Sequence, residues 1–292
     1  MKAPSSTVPP EREQEIAELA EAVADEYFPD RRVEPTAILK AKGVTLSFGH
    51  YGTSFDGLLE CLRGRFHVYG NLDRVEGRDT PRARFTLGHE LGHFFIDEHR
   101  NALRAGLAPS HPSVCEYESA LPVEREADHF ASNLLMPPAR FNKLAVRAAA
   151  GLGGVLKIAE HFGTSVTSTA IRYAKSEIVP CAVIKWDGHG FGWKWLSTET
   201  FRARFRRTVE TLSDLPEDSP TVRAISGERP PAQGYFTAGT TAAAWFPFVD
   251  DRGTRNVILI EQAMPLGRFG VLTVLYPESG SYGQAGFDPI RW

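Results

Sequence analysis

The chain has 292 residues, of which 42% are hydrophobic and 24% charged, so it can form one large or two smaller domains with a buried core. Its net charge of −3 argues against a protein whose main task is to coat nucleic acid. Three widely spaced cysteines, no early apolar stretch and no apolar run of about 18 residues predict a cytoplasmic protein with free thiols, no signal peptide and no membrane partner.

The first part of the chain is predicted to hold helices followed by a small sheet. Residues 1–10 are polar and proline-rich, and we expect a disordered tail there. Apolar residues at helical spacing predict a helix over 11–28, and a shorter one is predicted over 35–41. Alternating or strand-rich stretches predict three strands, at 43–48, 58–62 and 66–69.

The next feature is the motif H-E-x-x-H, formed by His89, Glu90 and His93 in an apolar stretch that can be helical. Residues four apart share one face of a helix, so the two imidazoles can bind one Zn²⁺, with Glu90 beside the metal as general base. The motif also occurs by chance in helices that only pack. Apolar flanks favour the metal interpretation, and so do Gly88 and Gly92, which weaken a helix and indicate close approach of another element.

A zinc hydrolase usually has three protein ligands and one open position, and the sequence offers more than one candidate for the third ligand. His99 is the nearer one. However, Ile96 stands where a glycine would normally turn the chain back to the metal, and a β-branched residue resists that conformation. The alternative for His99 is a position at or beyond the end of the helix.

The farther candidate is Glu124, on a second helix predicted over 123–136 from its apolar stripe. Asp128 lies on the same face and can accept the free N–H of a ligand histidine. Glu126 points about 200° away from Glu124 on a helix, so only one of the two can face the site. The alternative for Glu124 is an ordinary acidic residue at a helix N-terminus.

Residues 101–121 join the two predicted metal-bearing helices and are predicted to be a long loop, which favours a lid or specificity loop. Tyr117 and His111 on this loop are candidates to donate a hydrogen bond to an oxyanion or to contact substrate. Cys115 has no second cysteine nearby, so we interpret it as structural or incidental.

Residues 151–175 are predicted to form a helix-turn-helix-like segment, with a glycine turn and Ser165 as N-cap of the second helix. One interpretation is direct DNA binding. The other is packing or substrate docking, which is favoured because the second helix offers only Arg172 and Lys175 as cations.

The remaining residues, 176–292, are predicted to form a smaller α+β domain without a motif of its own. A helix is predicted over 198–212 and a loop over 215–231. Strands are predicted at 178–186, 191–196, 243–248, 256–261 and 270–276.

Together, the two motifs resemble the ImmA/IrrE family of metallo-endopeptidases. Many proteases share H-E-x-x-H, but the pattern E-x-x-A-D-x-F-A-x-x-L-L-M-P over residues 124–137 is specific. The resemblance covers about residues 10–175. Because the family often carries a sensor-like or unassigned C-terminal region, a sensor role for residues 176–292 is a hypothesis. It implies an α+β fold, with a zincin-like metallopeptidase domain over 11–150 that contains a small sheet and the H-E-x-x-H helix.

By the same resemblance, His89, His93 and Glu124 bind the zinc ion, with Mn²⁺ or Fe²⁺ as alternative metals. Glu90 is the catalytic base, and Asp128 falls on the family's Asn/Asp position. Family members cleave helix-turn-helix repressors and so switch on stress-response or mobile-element genes, which makes such a repressor the expected partner. Two other hypotheses remain: a non-catalytic sensor with a structural zinc ion, and a DNA-binding regulator.

Overall fold

The structure is a computed structural model, and it describes residues 8–107, 112–113, 121–187, 190–249 and 255–278. It forms two compact units. The first comprises the described residues of 4–141 together with 159–165, and the second comprises those of 142–158 and 166–292. In the described part of the chain, every helix is too short or too polar to span a bilayer.

The first unit contains both predicted metal-bearing helices. Its elements are α1 (Pro10–Tyr27), α2 (Pro35–Ala41), β1 (Thr45–Gly49), β2 (Gly57–Leu62), β3 (Arg65–Asn71), α3 (Leu72–Val75), α4 (Pro81–Phe95), α5 (Asp97–Arg104), β4 (Pro112–Ser113) and α6 (Pro122–Leu135). The strands form one mixed sheet in the order β1-β3-β2-β4, in which β1 is parallel to β3 and the other pairs are antiparallel. The three strands expected from the sequence are therefore neighbours in one small sheet.

The N-terminal boundary differs from the prediction. α1 begins at Pro10, and Val8 before it is buried, so the end of the predicted tail is ordered by packing. Residues 1–7 lie outside the described residues. The expected long loop also begins later, because α5 continues to Arg104.

Close packing of α4 against α6 positions the site, and two glycines on α4 permit it. A Cβ built on Gly92 would lie 3.0 Å from the Cα of Ala127, and one on Gly88 would lie 3.3 Å from the Cβ of Ala131. A side chain at Gly92 would meet the backbone of α6, and one at Gly88 would make a milder contact with the side chain of Ala131. The element that approaches these glycines is therefore α6.

The ends of α4 and α6 follow from local chemistry. The Thr80 hydroxyl accepts a hydrogen bond from the Ala83 amide at 3.1 Å, and Pro81 occupies the first turn of α4, where its missing N–H costs nothing. α6 likewise begins with a proline, Pro122. It ends at Leu135, just before Pro137, which cannot continue a helix.

The chain continues through helices α7 (Pro138–Arg147), α8 (Leu152–Phe162) and α9 (Val166–Lys175), then β5 (Ala182–Asp187), β6 (Gly190–Leu196), α10 (Glu199–Arg204), α11 (Pro220–Ile225), β7 (Phe236–Thr241), α12 (Ala242–Trp245), β8 (Ile258–Pro265) and β9 (Val271–Pro277). The strands of the second unit form an antiparallel sheet in the order β6-β5-β9-β8-β7. Its core is rich in aromatic side chains, including Trp186, Phe201, Phe205, Trp245 and Phe246.

The predicted helix over 198–212 is wrong beyond Arg204, where α10 ends. Phe201, Phe205 and Val209 recur every four residues, which is typical of a helix. However, all three are buried in the core, and the Val209 amide donates to the carbonyl of Trp245 at 2.8 Å. This tertiary hydrogen bond therefore replaces the bond to the Phe205 carbonyl that the Val209 amide would make in a continuing helix.

Two further predictions in this unit are wrong. The predicted strand at 243–248 is instead the short helix α12, because successive alanines favour a helix, and the strand lies earlier, as β7. The predicted loop over 215–231 contains α11, which begins at Pro220 after the N-cap Ser219. The Ser219 hydroxyl accepts from the Val222 amide, a capping signal that the sequence carries.

Candidate metal centre

The histidines of the H-E-x-x-H motif face the same way on α4. His89 and His93 are 1% and 5% exposed, and their Nε2 atoms lie 3.1 Å apart. They are one helical turn apart, so their rings meet on the face that packs against α6. Burial keeps water away from the two Nε2 atoms, so their hydrogen-bonding partners or metal ligation must come from within the site.

Glu124, in the first turn of α6, completes the cluster. Its Oε2 lies 3.2 Å from Nε2 of His89, and its Oε1 lies 3.5 Å from Nε2 of His93. These three residues form a group that can hold a metal ion, with all candidate ligand atoms within 4.8 Å of one another.

The donor set fits zinc in both chemistry and size. Two imidazole nitrogens and one carboxylate oxygen are ligands that Zn²⁺ uses when it keeps a fourth position open. Ligands roughly 2.0–2.2 Å from a tetrahedral ion lie roughly 3.3–3.6 Å from each other. The three observed separations, 3.1, 3.2 and 3.5 Å, are close to that spacing.

Asp128, one turn after Glu124, lies behind His89. Its Oδ1 lies 2.8 Å from Nδ1 of His89, so the imidazole donates to the carboxylate. In the neutral ring, Nε2 then carries a lone pair that points at the carboxylate of Glu124. Two acceptors facing each other at 3.2 Å require a proton or a cation between them.

The pKa values of His89, His93 and Glu124 are all shifted by burial and by contacts within the cluster. Burial lowers the pKa of His89, but the hydrogen bonds to Asp128 and Glu124 outweigh it and raise the pKa to about 10. Burial lowers the pKa of His93 to about 4, although Glu124 opposes this. Burial would raise the pKa of Glu124, but its contacts with the two histidines hold it below its usual range.

Glu90 is fully buried on the sheet side of α4. A Cβ built on Gly57 of β2 would lie 2.7 Å from Oε1 of Glu90 and 2.4 Å from Cγ2 of Thr86. The strand can come this close only because residue 57 has no side chain.

A cavity of about 200 Å³ opens beside Glu90 and His93. Its remaining lining consists of Leu59, Glu98, His99, Ala102, Leu103 and Val123. The site therefore combines a buried polar cluster with adjoining space that is largely apolar.

His99 lies outside the three-residue cluster, on α5. Its Nδ1 lies 3.2 Å from Nδ1 of His93, behind the ring, and its Nε2 lies 3.2 Å from Oε2 of Glu126. Glu126 therefore contacts His99 rather than the cluster formed with Glu124. This contact was missed, because it depends on how the chain turns at Ile96 from α4 into α5, and no local pattern specifies that turn.

Two sequence-predicted site residues, His111 and Tyr117, lie outside the described residues, as does Cys115. His129, a neighbour of the site in sequence, donates from Nε2 to the carbonyl of Glu13 at 2.8 Å. That bond joins α6 to α1.

Comparison with known proteins supports the resemblance drawn from the motifs. Residues 76–173 match the family model Peptidase_M78, described as the IrrE N-terminal-like domain, and this range includes every residue of the cluster. Over these residues, the match confirms the resemblance to the ImmA/IrrE family. A search of curated proteins gives no significant match.

Among solved structures, the chain is similar to one described as a Mycobacterium tuberculosis transcriptional regulator. The TM-score is 0.54 at 10% sequence identity, and the match covers 93% of this chain and 92% of the other. At this identity the similarity shows a shared fold.

Proposed function

We propose, from the membership of residues 76–173 in the ImmA/IrrE family, that this protein is a zinc-dependent endopeptidase. Its substrate in this proposal is a helix-turn-helix repressor, whose cleavage derepresses stress-response or mobile-element genes. The observation that carries the proposal is the convergence of His89, His93 and Glu124 beside the buried Glu90.

In this proposal His89, His93 and Glu124 hold the ion, and Asp128 fixes the ring of His89 with Nε2 toward it. A zinc ion bound there would polarise the scissile carbonyl and lower the pKa of water. Because the cluster supplies three protein donors, it would leave one coordination position for water or the scissile carbonyl.

Glu90 is proposed as the general base. It follows His89 directly in the chain and lines the cavity that adjoins His93. Its carboxylate would take a proton from the attacking water and return it to the leaving amine. The cavity gives the peptide a place beside that carboxylate, with Leu59 and Leu103 available to an apolar side chain.

The test is co-expression with the repressor encoded next to the gene, comparing the wild type with Glu90→Gln. We expect the wild type to produce a shortened repressor and Glu90→Gln to leave it intact while retaining bound zinc, because Gln keeps the shape but cannot accept a proton. Glu18→Gln, an exposed change on α1, serves as the matched control and should cleave normally.

Retained cleavage by Glu90→Gln would refute the base assignment. An intact repressor in the presence of zinc-loaded wild type would refute this repressor as the substrate.

A second candidate is a transcriptional regulator that binds DNA through α8 and α9. The name of the structurally similar protein favours it, as does the left-handed Gly163 between the helices, with φ of +65°. Against it, α9 buries Thr169, Ala170, Ile171, Tyr173 and Ala174, and Lys175 lies over the ring of Trp195 at 4.4 Å. These contacts support packing within the second unit. A gel shift that persists after zinc removal and in Glu90→Gln would favour the regulator.

A further inference from the structure

A chain of polar side chains lies behind His93, on the side away from the cluster. Nδ1 of His93 is 3.2 Å from Nδ1 of His99, and Nε2 of His99 is 3.2 Å from Oε2 of Glu126. Glu126 in turn accepts from Nη2 of Arg12 at 3.0 Å. We call His99, Glu126 and Arg12 the His99 relay.

Each member of the relay has a defined hydrogen-bonding role. A carboxylate only accepts, so Nε2 of His99 must carry a proton and donate it to Glu126. In the neutral ring of His99, Nδ1 is then an acceptor that faces His93. Nδ1 of His93 must therefore be the donor, which leaves a lone pair on its Nε2, the atom that faces His89 and Glu124.

The relay is built from three separate helices, and its inner members, His99 and Glu126, are largely shielded from solvent. His99 comes from α5, Glu126 from α6 and Arg12 from α1, and their side chains are 7%, 15% and 26% exposed. Such burial strengthens hydrogen bonds to a charged group. It also holds the rings in one orientation.

We propose that the His99 relay positions His93 for metal binding, as Asp128 does for His89. This inference rests on the proposed zinc site. The two imidazoles are then oriented by different means. A carboxylate contacts His89 directly, whereas His93 contacts the imidazole of His99, which a carboxylate and an arginine hold in place. His99 is thus a positioning residue and not a ligand.

The test is the zinc dissociation constant of the full chain, measured by competition with a chelator. His99→Leu removes the Nδ1 acceptor and fills the space with an apolar side chain. We expect its zinc affinity to fall roughly 10- to 100-fold, the usual effect of losing a partner of a ligand histidine. His99→Asn should restore most of the affinity, because its Oδ1 occupies the place of the imidazole Nδ1.

Glu126→Gln provides a second, milder variant, which keeps an acceptor for His99 but loses the charge, and we expect an intermediate loss of affinity. Glu15→Gln is the matched control: it removes a charge at the outer end of the relay, where Glu15 pairs with Arg12 at 3.3 Å, but it leaves the pair of Glu126 and His99 in place. It should bind zinc like the wild type.

Wild-type affinity in His99→Leu would overturn the relay, and so would equal losses in His99→Leu and His99→Asn, which indicate simple packing damage. These results leave the protease proposal standing, since zinc binding is measured without substrate. Failure of the wild type itself to bind zinc would instead remove the proposed site together with the relay.

Discussion

Two histidines on one helix face differ in the group behind each ring, and their pKa values are shifted in opposite directions. The carboxylate of Asp128 lies behind His89, whereas the imidazole of His99 lies behind His93. Hydrogen bonds to Asp128 and Glu124 overcome burial and raise the pKa of His89 to about 10, while burial lowers that of His93 to about 4. The metal-free cluster therefore holds its proton on His89.

Zinc binding should consequently release a proton. His89 keeps its proton throughout the neutral range because its pKa is raised to about 10, but a ligand nitrogen must be deprotonated. We expect the release of about one proton per zinc ion bound. The zinc affinity should rise with pH until the pH reaches the pKa of His89. Calorimetry in buffers of different ionisation enthalpy measures the proton count.

Asp128→Asn is the matched variant for this experiment. Without the carboxylate, the pKa of His89 falls, so fewer protons should be released per zinc. An affinity independent of pH across the neutral range, or equal proton release in both proteins, would contradict the assignment of the proton to His89.

At this scale the sequence specifies the residues that helical periodicity brings together. His89 and His93 share a face because they are four apart, and Glu124 and Asp128 do so for the same reason. The position of His99 behind His93 was not predictable, because it depends on the direction in which α5 leaves Ile96. The metal roles of these residues remain a proposal.

Among the elements, the contact between α4 and α6 decides the geometry of the cluster. Each helix carries part of the donor set, and neither helix alone supplies three donors. Gly88 and Gly92 allow the two backbones to approach, and the sequence indicated this through two residues that weaken a helix. Helical periodicity alone did not identify α6 as the helix that approaches these glycines.

Gly92→Ala should therefore weaken both folding and metal binding. Alanine favours a helix by about 1 kcal/mol over glycine, but its Cβ would lie 3.0 Å from the Cα and 3.1 Å from the carbonyl oxygen of Ala127. Backbone atoms cannot rotate away, and overpacking of this kind costs about 1–3 kcal/mol. Urea unfolding and zinc titration would measure the two effects.

Gly88→Ala is the control on the same helix. Its Cβ would meet the Cβ of Ala131 at 3.3 Å, a milder contact that a small shift relieves. It should be close to neutral in stability. Equal behaviour of the two variants, or a stabilised Gly92→Ala with unchanged zinc affinity, would show that the helix separation does not control the site.

Predictions of elements failed where tertiary contacts override local preference. The segment after Arg204 has helical spacing of Phe201, Phe205 and Val209, yet the hydrogen bond from Val209 to the Trp245 carbonyl takes it out of the helix. The short helix α11 was missed although Ser219 and Pro220 carry a start signal. Helices with a proline in the first turn and a long apolar stripe, such as α4 and α6, were predictable.

On the scale of the whole molecule, two compact units each bury a separate core. The first unit holds the donor cluster between two helices beside a small mixed sheet, and the second is organised around an antiparallel sheet with a buried aromatic core. The family match at 76–173 confirms the resemblance inferred from two motifs. The functional division of the chain at residues 150 and 175 stays a prediction, as does a sensor role for 176–292.

The measurement that tests the central claim most directly is zinc-edge X-ray absorption on the zinc-loaded full chain, with Glu124→Ala for comparison. The account predicts nitrogen and oxygen ligands at roughly 2.0–2.2 Å, including two imidazoles, and loss of zinc in Glu124→Ala. A third imidazole, a sulfur ligand at roughly 2.3 Å, or full zinc occupancy in Glu124→Ala would contradict it.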